Sequence, residues 1–185
     1  GPTGIGFLWS RKEILEKIPP LFGGGEMIQD VFEETSTWAE LPHKFEAGTP
    51  AIAEAIGLAE AINYINNIGL NEIHEYEKTI TKYLFEKLNQ IENIEIIGPS
   101  PEIDPDRASL ATFYIKNIHS NDIAEILDSK GICIRSGHHC CQPLHRYIGI
   151  KSTARISMNF TTNKEEIDIF IEKLKDTIDF LKINS

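Results

Sequence analysis

Residues 134–144 read IRSGHHCCQPL. In this stretch two adjacent histidines run directly into Cys140 and Cys141, and Arg135 lies just upstream. These residue types can form a metal cluster, a disulfide, or a nucleophilic thiol supported by basic groups. The spacing of the residues and the rest of the chain must decide among the three.

The spacing is unfavourable for a metal and for a disulfide. Zinc ligands are usually separated by two or more residues, so that their side chains can converge, whereas the candidates at 138–141 are consecutive. Neighbouring cysteines reach the preferred disulfide torsion only with strain. Cys133 lies in an apolar run, which predicts a small buried side chain. We therefore predict no metal site, with zinc and a disulfide left open as alternatives.

A reactive thiol is the third interpretation. A cysteine attacks as the thiolate, and nearby cationic groups favour that form. Cys140 follows a glycine on a predicted loop, with His138, His139 and Arg135 close in sequence. Loops at strand ends commonly carry chemistry. Spacing alone does not separate Cys140 from Cys141.

Composition narrows the class of protein. The 185 residues carry 28 acidic and 18 basic side chains, a formal net charge of −10, which argues against a nucleic-acid partner. We find no apolar run of the length that crosses a bilayer and expect no membrane association. Three cysteines make a poor disulfide framework and indicate a reducing compartment, which predicts the cytoplasm.

Periodicity predicts an α/β or α+β protein with a boundary near Asn93. Before it we expect a strand at 5–9, a helix with a Ser10/Glu13 capping box, and a helix capped by Thr49 whose core stripe is Ile52, Ile56, Ala59 and Ile62. The remaining predicted elements are helices at 71–89 and 120–130, strands at 94–97, 110–115, 132–135 and 154–158, and a last helix from about Asn163.

Arg135 and Arg155 both fall on predicted strands. A guanidinium group suits a carboxylate, and an amino-acid substrate has one. The alternative is a structural ion pair with one of the acidic residues, and the sequence favours neither.

Five segments, in this order, resemble one family. They are GPTGIGFLW, PPLFGGGEMI, KFEAGTP, DIAEILDSKGICIRSGHHCCQPL and ARISMNFTTNKEEID. The chain resembles the group II, or Suf-type, cysteine desulfurases and selenocysteine lyases, in the class V aminotransferase branch of fold type I pyridoxal-phosphate enzymes. The resemblance implies an α/β fold, the C-terminal portion of such a transferase. Residues 1–92 would be the end of the large cofactor-binding domain with bridging helices, and 93–185 a small C-terminal α/β domain.

The resemblance also implies roles for particular residues. Cys140 resembles the cysteine that takes the substrate sulfur and holds it as a persulfide. Arg155 resembles the arginine that binds the substrate carboxylate, and Arg135 resembles a supporting arginine. His138 or His139 could assist proton transfer near the thiol. Cys141 stands where the family usually has a small apolar residue, and its use is open.

The cofactor implied by the resemblance is pyridoxal 5′-phosphate. Gly48 and Thr49 resemble the segment that reaches the cofactor phosphate of the other subunit of a homodimer. The family's cofactor lysine lies in S-G-H-K, shortly before G-P-T-G, and this chain begins at that G-P-T-G. Lys44 resembles an ordinary position. We therefore expect little or no turnover from this chain alone.

The implied reaction converts L-cysteine to L-alanine, with the sulfur held on Cys140 and passed to an acceptor protein that supplies iron–sulfur cluster assembly. A selenocysteine lyase acting on L-selenocysteine, another class V enzyme, and a non-catalytic thiol or zinc-binding module are the alternatives.

Overall fold

The computed structural model describes residues 1–183, which form two compact units. The first unit ends at Ile68 and the second begins at Gly69. The first unit contains α1 (Lys12–Lys17), β1 (Ile28–Val31), β2 (Ser36–Trp38), a 3₁₀ turn (His43–Phe45) and α2 (Ile52–Ile68). The second contains α3 (Leu70–Leu88), β3 (Ile94–Ile97), β4 (Leu110–Ile115), α4 (Ser120–Ser129), β5 (Arg135–Gly137), α5 (Gln142–Ile148), β6 (Thr153–Ser157) and α6 (Lys164–Ile183).

The first unit is organised around a hairpin and a buried lysine. Strands β1 and β2 pair in antiparallel fashion, and Met27 just before them is fully buried. The Lys44 amine is also buried, and it donates to the carbonyl oxygens of Leu15 and Glu16 at 3.0 Å each. Because these carbonyls belong to the last turn of α1, the cation satisfies acceptors that the helix leaves open. The Lys44 side chain therefore has a structural role at the end of α1.

Three predictions for the first unit are wrong. Residues 5–9 form no strand, and α1 is capped by Arg11 without a side-chain hydrogen bond, so the Ser10/Glu13 capping box does not form. Helix α2 begins at Ile52, after the predicted Thr49 cap, and the Ala51 carbonyl accepts the first helical bond. A cap signal fixes a helix end to within only a few residues.

The predicted core stripe of α2 is also wrong. Ile52, Ile56 and Ile62 are 59%, 68% and 46% exposed, and α2 has no buried residue. Apolar periodicity shows that a helix has a face suited to packing; it does not show what covers that face.

The second unit is a four-stranded antiparallel sheet covered by helices. The strand order is β3-β4-β6-β5, and α3, α4 and α6 pack on the sheet. Alternate residues of β4 are buried, including Phe113, whose ring lies 6.5 Å from that of Phe170 on α6. The buried core comprises Ile80, Leu84, Phe85, Leu88, Ile91, Ala111, Phe113, Ile115, Ile123, Leu127, Ala154, Ile167, Phe170, Ile171, Leu174 and Ile178.

The strand register defines two faces of this sheet. Opposed residues of an antiparallel pair share a face. Phe113 and Ala154 are opposed and lie in the core, on what we call the helix-covered face. Thr112 pairs with Arg155, and Arg155 pairs with Arg135, so these three lie on the other face, the open face.

Most predicted elements of the second unit are confirmed. The strands at 94–97 and 110–115 and the helices at 71–89, 120–130 and 163 onwards match within a residue or two. The strand predicted at 132–135 is wrong, because pairing with β6 begins only at Arg135. Helix α3 belongs to the second compact unit, whereas the sequence predicts a boundary near Asn93. The assignment of 1–92 and 93–185 to large and small domains remains a prediction.

Candidate active site

The two predicted substrate arginines lie directly opposite one another on the open face. Arg135 of β5 and Arg155 of β6 are Cα partners in the ladder. Like charges in this position repel, so the sheet gains nothing from their pairing. Neither makes a salt bridge within residues 1–183, and the Arg155 Nε is buried without a hydrogen-bond partner. The alternative of a structural ion pair is therefore not realised, and a pair of cations suited to an anion remains.

The loop between β5 and α5 presents the nucleophile candidate in an unusual conformation. Gly137, His139 and Cys140 have φ angles of 106°, 52° and 59°. The left-handed region costs an ordinary residue about 1–2 kcal/mol, so two consecutive non-glycine residues there require support. The Cys141 amide donates to the His138 carbonyl at 2.8 Å and closes a tight turn. Cys140 is exposed as a free thiol at the tip of this turn.

A buried hydroxyl connects both sides of this turn. Thr153 of β6, 1% exposed, has its Oγ1 2.9 Å from the His139 Nε2 and 3.1 Å from the His145 Nε2. The His145 Nδ1 lies 3.1 Å from the Cys141 carbonyl oxygen. Neither Thr153 nor His145 carries a sequence pattern that indicates a role, so only the structure identifies them.

The protons in this network can be assigned from one fixed acceptor. A carbonyl oxygen only accepts, so the His145 Nδ1 must carry a proton and donate to Cys141. In neutral His145 the Nε2 is then an acceptor for the Thr153 hydroxyl proton. The Thr153 oxygen accepts in turn from the His139 Nε2–H. The His139 Nδ1 is left as an unprotonated lone pair, and it is buried without a partner within residues 1–183.

The surroundings of His139 keep it neutral. Burial lowers its pKa, the nearby positive charges of Arg155 and Arg135 and the neighbouring His145 lower it further, and the bond to Thr153 opposes them in part. A neutral imidazole next to two guanidinium groups resists protonation, because a bound proton would add a third positive charge. His138 differs, because it is exposed and meets the His145 ring edge-on at 5.5 Å.

A cavity of about 610 Å³ gathers most of the predicted site. Arg135, His138, His139 and Cys140 all line it, and Arg155 lies beside Arg135 on the neighbouring strand. The cavity therefore combines cationic groups with a free thiol. The other lining residues are Ser136, Gln142, Pro143 and Arg146.

Gly48 and Thr49 lie in the first compact unit, where they form part of a turn. The Gly48 amide, at φ 80°, already donates to the Gly25 carbonyl at 2.9 Å, so it has no proton left for a phosphate. A side chain at Gly24 would come within 3.4 Å of the Ala47 Cβ. Thr49 is exposed and offers its hydroxyl to an anion. Thr49 fits a phosphate contact, and Gly48 fits the role of shaping the turn.

The structure also describes the state of all three cysteines. All three cysteines are free thiols, and the prediction of a buried Cys133 is wrong, because it is exposed with its Sγ 3.7 Å from an Asp128 carboxylate oxygen.

No three His, Cys, Asp or Glu side chains in the described part of the chain could hold a metal ion. None of the helices described is long and apolar enough to cross a membrane.

Comparison with known proteins defines first the class and then the family. A cysteine desulfurase from Thermococcus onnurineus in its apo form and one from Escherichia coli in an S-sulfonic acid form both match with a TM-score of 0.87, at 37% and 29% identity. Each match covers 97% of this chain and 44% of the solved chain. The fold is thus a mixed α/β fold, part of that of the pyridoxal-phosphate-dependent cysteine desulfurases.

The model of the aminotransferase class-V family matches residues 1–170, and this chain belongs to that family. A probable cysteine desulfurase from Synechocystis is 53% identical over 179 residues, which are 97% of this chain and 42% of the relative. One from Staphylococcus epidermidis is 48% identical, with 97% and 43% covered. The chain therefore spans less than half the length of these relatives.

Proposed function

We propose that the protein to which this chain belongs is a cysteine desulfurase, with Cys140 as the sulfur-accepting residue. One observation carries the proposal. A free, exposed thiol and a cationic residue, Arg135, line one cavity, with Arg155 opposite Arg135 on the next strand and no acidic partner for either arginine within residues 1–183. The relatives described as cysteine desulfurases support it.

The arginines bind the substrate by its carboxylate. Arg155 carries a buried Nε that no group in the described chain satisfies, and Arg135 adds a second guanidinium from the neighbouring strand. A carboxylate satisfies both and relieves the repulsion between them. This arrangement holds one end of an amino acid and leaves its side chain to be directed to the thiol.

The sulfur step uses Cys140 as the nucleophile. Its thiolate forms a bond to the substrate sulfur, the substrate carbon–sulfur bond breaks, and the electron pair stays on carbon, which takes a proton. L-cysteine becomes L-alanine, and Cys140 holds a persulfide. His139, whose Nδ1 is unprotonated, and the exposed His138 are the two candidates for taking up the thiol proton.

Pyridoxal 5′-phosphate, when bound, supplies the electron sink that makes this carbon–sulfur cleavage accessible. Among this chain's own residues, Thr49 is proposed to contact the cofactor phosphate of a partner subunit through its hydroxyl. Gly48 shapes the turn that presents Thr49. The working protein is thus proposed to be a homodimer.

The persulfide on an exposed loop cysteine is accessible to an acceptor protein. We propose that this acceptor passes the sulfur on to iron–sulfur cluster assembly. The three free thiols suit a reducing compartment such as the cytoplasm.

Activity of the complete gene product, loaded with cofactor, tests the proposal. Alanine formation from L-cysteine is measured for the native protein and for the Cys140→Ala and Cys141→Ala variants. We expect C140A to lose turnover and C141A to keep it within about threefold, since only Cys140 is at the tip of the turn. Equal loss in both variants, or full activity in C140A, would contradict the assignment. Turnover of L-selenocysteine without Cys140 would indicate a lyase.

A further inference from the structure

The turn that carries Cys140 is tied to the sheet on both sides. The residue before the thiol, His139, meets the Thr153 hydroxyl through its side chain. The residue after it, Cys141, meets His145 through its carbonyl oxygen, and His145 meets the same hydroxyl. One buried oxygen on β6 is therefore the common anchor of both flanks.

The anchor itself cannot move easily. Thr153 is 1% exposed, and as a β-branched residue on a strand it has few side-chain rotamers. It is opposed to Gly137 in the ladder, so the hydroxyl lies beneath the point where the chain leaves β5. His145 is 6% exposed, and α5 fixes its backbone. Both residues have the rigidity that an anchor requires.

The turn, by contrast, needs external support. His139 and Cys140 adopt left-handed conformations in succession, which ordinary residues rarely do. The bond from the Cys141 amide to the His138 carbonyl closes the turn locally and does not attach it to the sheet. The Cys141 carbonyl also accepts the first backbone bond of α5, from the His145 amide at 3.3 Å, which attaches the turn to that helix. Attachment of the turn to the sheet depends on the three side-chain bonds, two of which are made by Thr153.

We propose that Thr153 and His145 are positioning residues for the Cys140 thiol, acting through three hydrogen bonds that hold the residues on either side of it. Neither residue has to touch the substrate for this role. The inference rests on the proposed function, because it assigns the purpose of the network to sulfur transfer at Cys140.

The order of donors gives the network a direction. Every proton is donated toward the Cys141 carbonyl: the His139 Nε2 donates to the Thr153 hydroxyl, that hydroxyl donates to the His145 Nε2, and the His145 Nδ1 donates to the carbonyl. At the opposite end the His139 Nδ1 is left with an unprotonated lone pair. A hydroxyl is the one group at position 153 that both accepts from one imidazole and donates to the other. Serine can reproduce this pattern, and valine, of the same shape as threonine, cannot.

The test compares Thr153→Val with Thr153→Ser in the complete gene product with cofactor bound. In T153V we expect the rate of sulfur transfer to Cys140 in a single turnover to fall about tenfold or more, with KM for L-cysteine within about twofold. In T153S we expect recovery to within about threefold of the native rate. A side chain important only for folding would change the amount of active protein without separating the rate from KM.

A second readout does not depend on activity. Hydrogen exchange of the Cys141 amide reports how long the turn stays closed. We expect exchange at least about tenfold faster in T153V than in the native protein, and near-native exchange in T153S.

Thr81→Val is the matched control. Thr81 is 2% exposed and its hydroxyl bonds to Ser109 and to the Glu77 carbonyl, so the change also deletes a buried hydroxyl from the second unit. It leaves the Cys140 turn untouched. If T153V does not fold, His145→Phe removes two of the three bonds while keeping a ring of similar size, and the same two effects are expected.

The outcomes separate the two claims. Native-like sulfur transfer and amide exchange in T153V, equal to those of T81V, would overturn the positioning role. If C140A retains full turnover the proposed function falls, and the amide exchange still decides whether Thr153 holds the turn.

Discussion

The two faces of the sheet in the second unit follow opposite rules. On the helix-covered face, Phe113 and Ala154 are completely buried among apolar side chains. On the open face, one strand position away, Arg155 is opposed to Arg135 and carries a buried nitrogen without a partner in the described chain. The first face has the packing that stabilises a fold. The second face has two guanidinium groups that repel each other and a buried N–H without an acceptor. A fold tolerates such features where a bound ligand can neutralise the charges and accept the hydrogen bond.

Loss of packing on the helix-covered face has the largest expected effect. Phe113→Ala removes a fully buried ring that packs against Phe170, so we expect the free energy of unfolding to fall by about 3–5 kcal/mol. Urea denaturation measures this change. Thr112→Ala, the neighbouring position on the open face, is the control and should cost less than about 1 kcal/mol. Equal losses in both variants would show that the two faces do not differ.

Loss of charge on the open face affects substrate rather than stability. Arg155→Gln is expected to lower kcat/KM for L-cysteine by about 30-fold or more, because a buried charge contact to the carboxylate is lost. The free energy of unfolding should not fall, since the repulsion with Arg135 is removed. Lys116→Gln, an exposed cation next to the same sheet, is the control. Native kcat/KM in R155Q would refute a carboxylate site.

The imidazole over the open face gives a smaller, pH-dependent effect. Burial and Arg155 lower the pKa of His139, so the unfolded chain binds more protons than the folded one between the two pKa values. Stability therefore decreases as the pH falls through the ordinary histidine range near 6.5, and it is unaffected above it. Urea midpoints at pH 8 and pH 5 measure this dependence.

His139→Gln provides the comparison for that titration, because glutamine does not titrate. The native protein should lose more stability than H139Q between the two pH values. An equal loss in both proteins would show that His139 remains as easily protonated as in the unfolded chain.

The smallest effect is expected at the surface. Lys87 lies 2.7 Å from an Asp168 oxygen, and this contact raises the pKa of the lysine, but the two side chains keep 31% and 49% of their surface in contact with water. Lys87→Met should change thermal stability far less than Phe113→Ala, and salt should remove the difference. A large, salt-independent loss would mean that packing of the lysine stem matters more than its charge.

The sequence predicts the second unit better than the first for a physical reason. Helices α3 and α6 carry apolar residues at helical spacing and pack in the core of the second unit, so these residues are buried, as at Leu84 and Leu174. The stripe of α2 has the same periodicity, yet Ile56 is 68% exposed, since a pattern does not identify its partner.

The site is only partly predictable for a related reason. Cys140, Arg135 and Arg155 stand out by residue type and by a motif. The hydrogen bond between His139 and Thr153 depends on the strand register and on the left-handed backbone conformation of His139 and Cys140, neither of which is glycine. Local sequence specifies neither the register nor this conformation.

The most direct measurement is to locate the sulfur. The complete gene product with cofactor is incubated with L-cysteine, free thiols and persulfides are trapped by alkylation, and peptides are analysed by mass. We expect one additional sulfur atom on Cys140 and none on Cys133. Sulfur on Cys141 alone, or on no cysteine while alanine is formed, would contradict the account of Cys140 as the residue that accepts it.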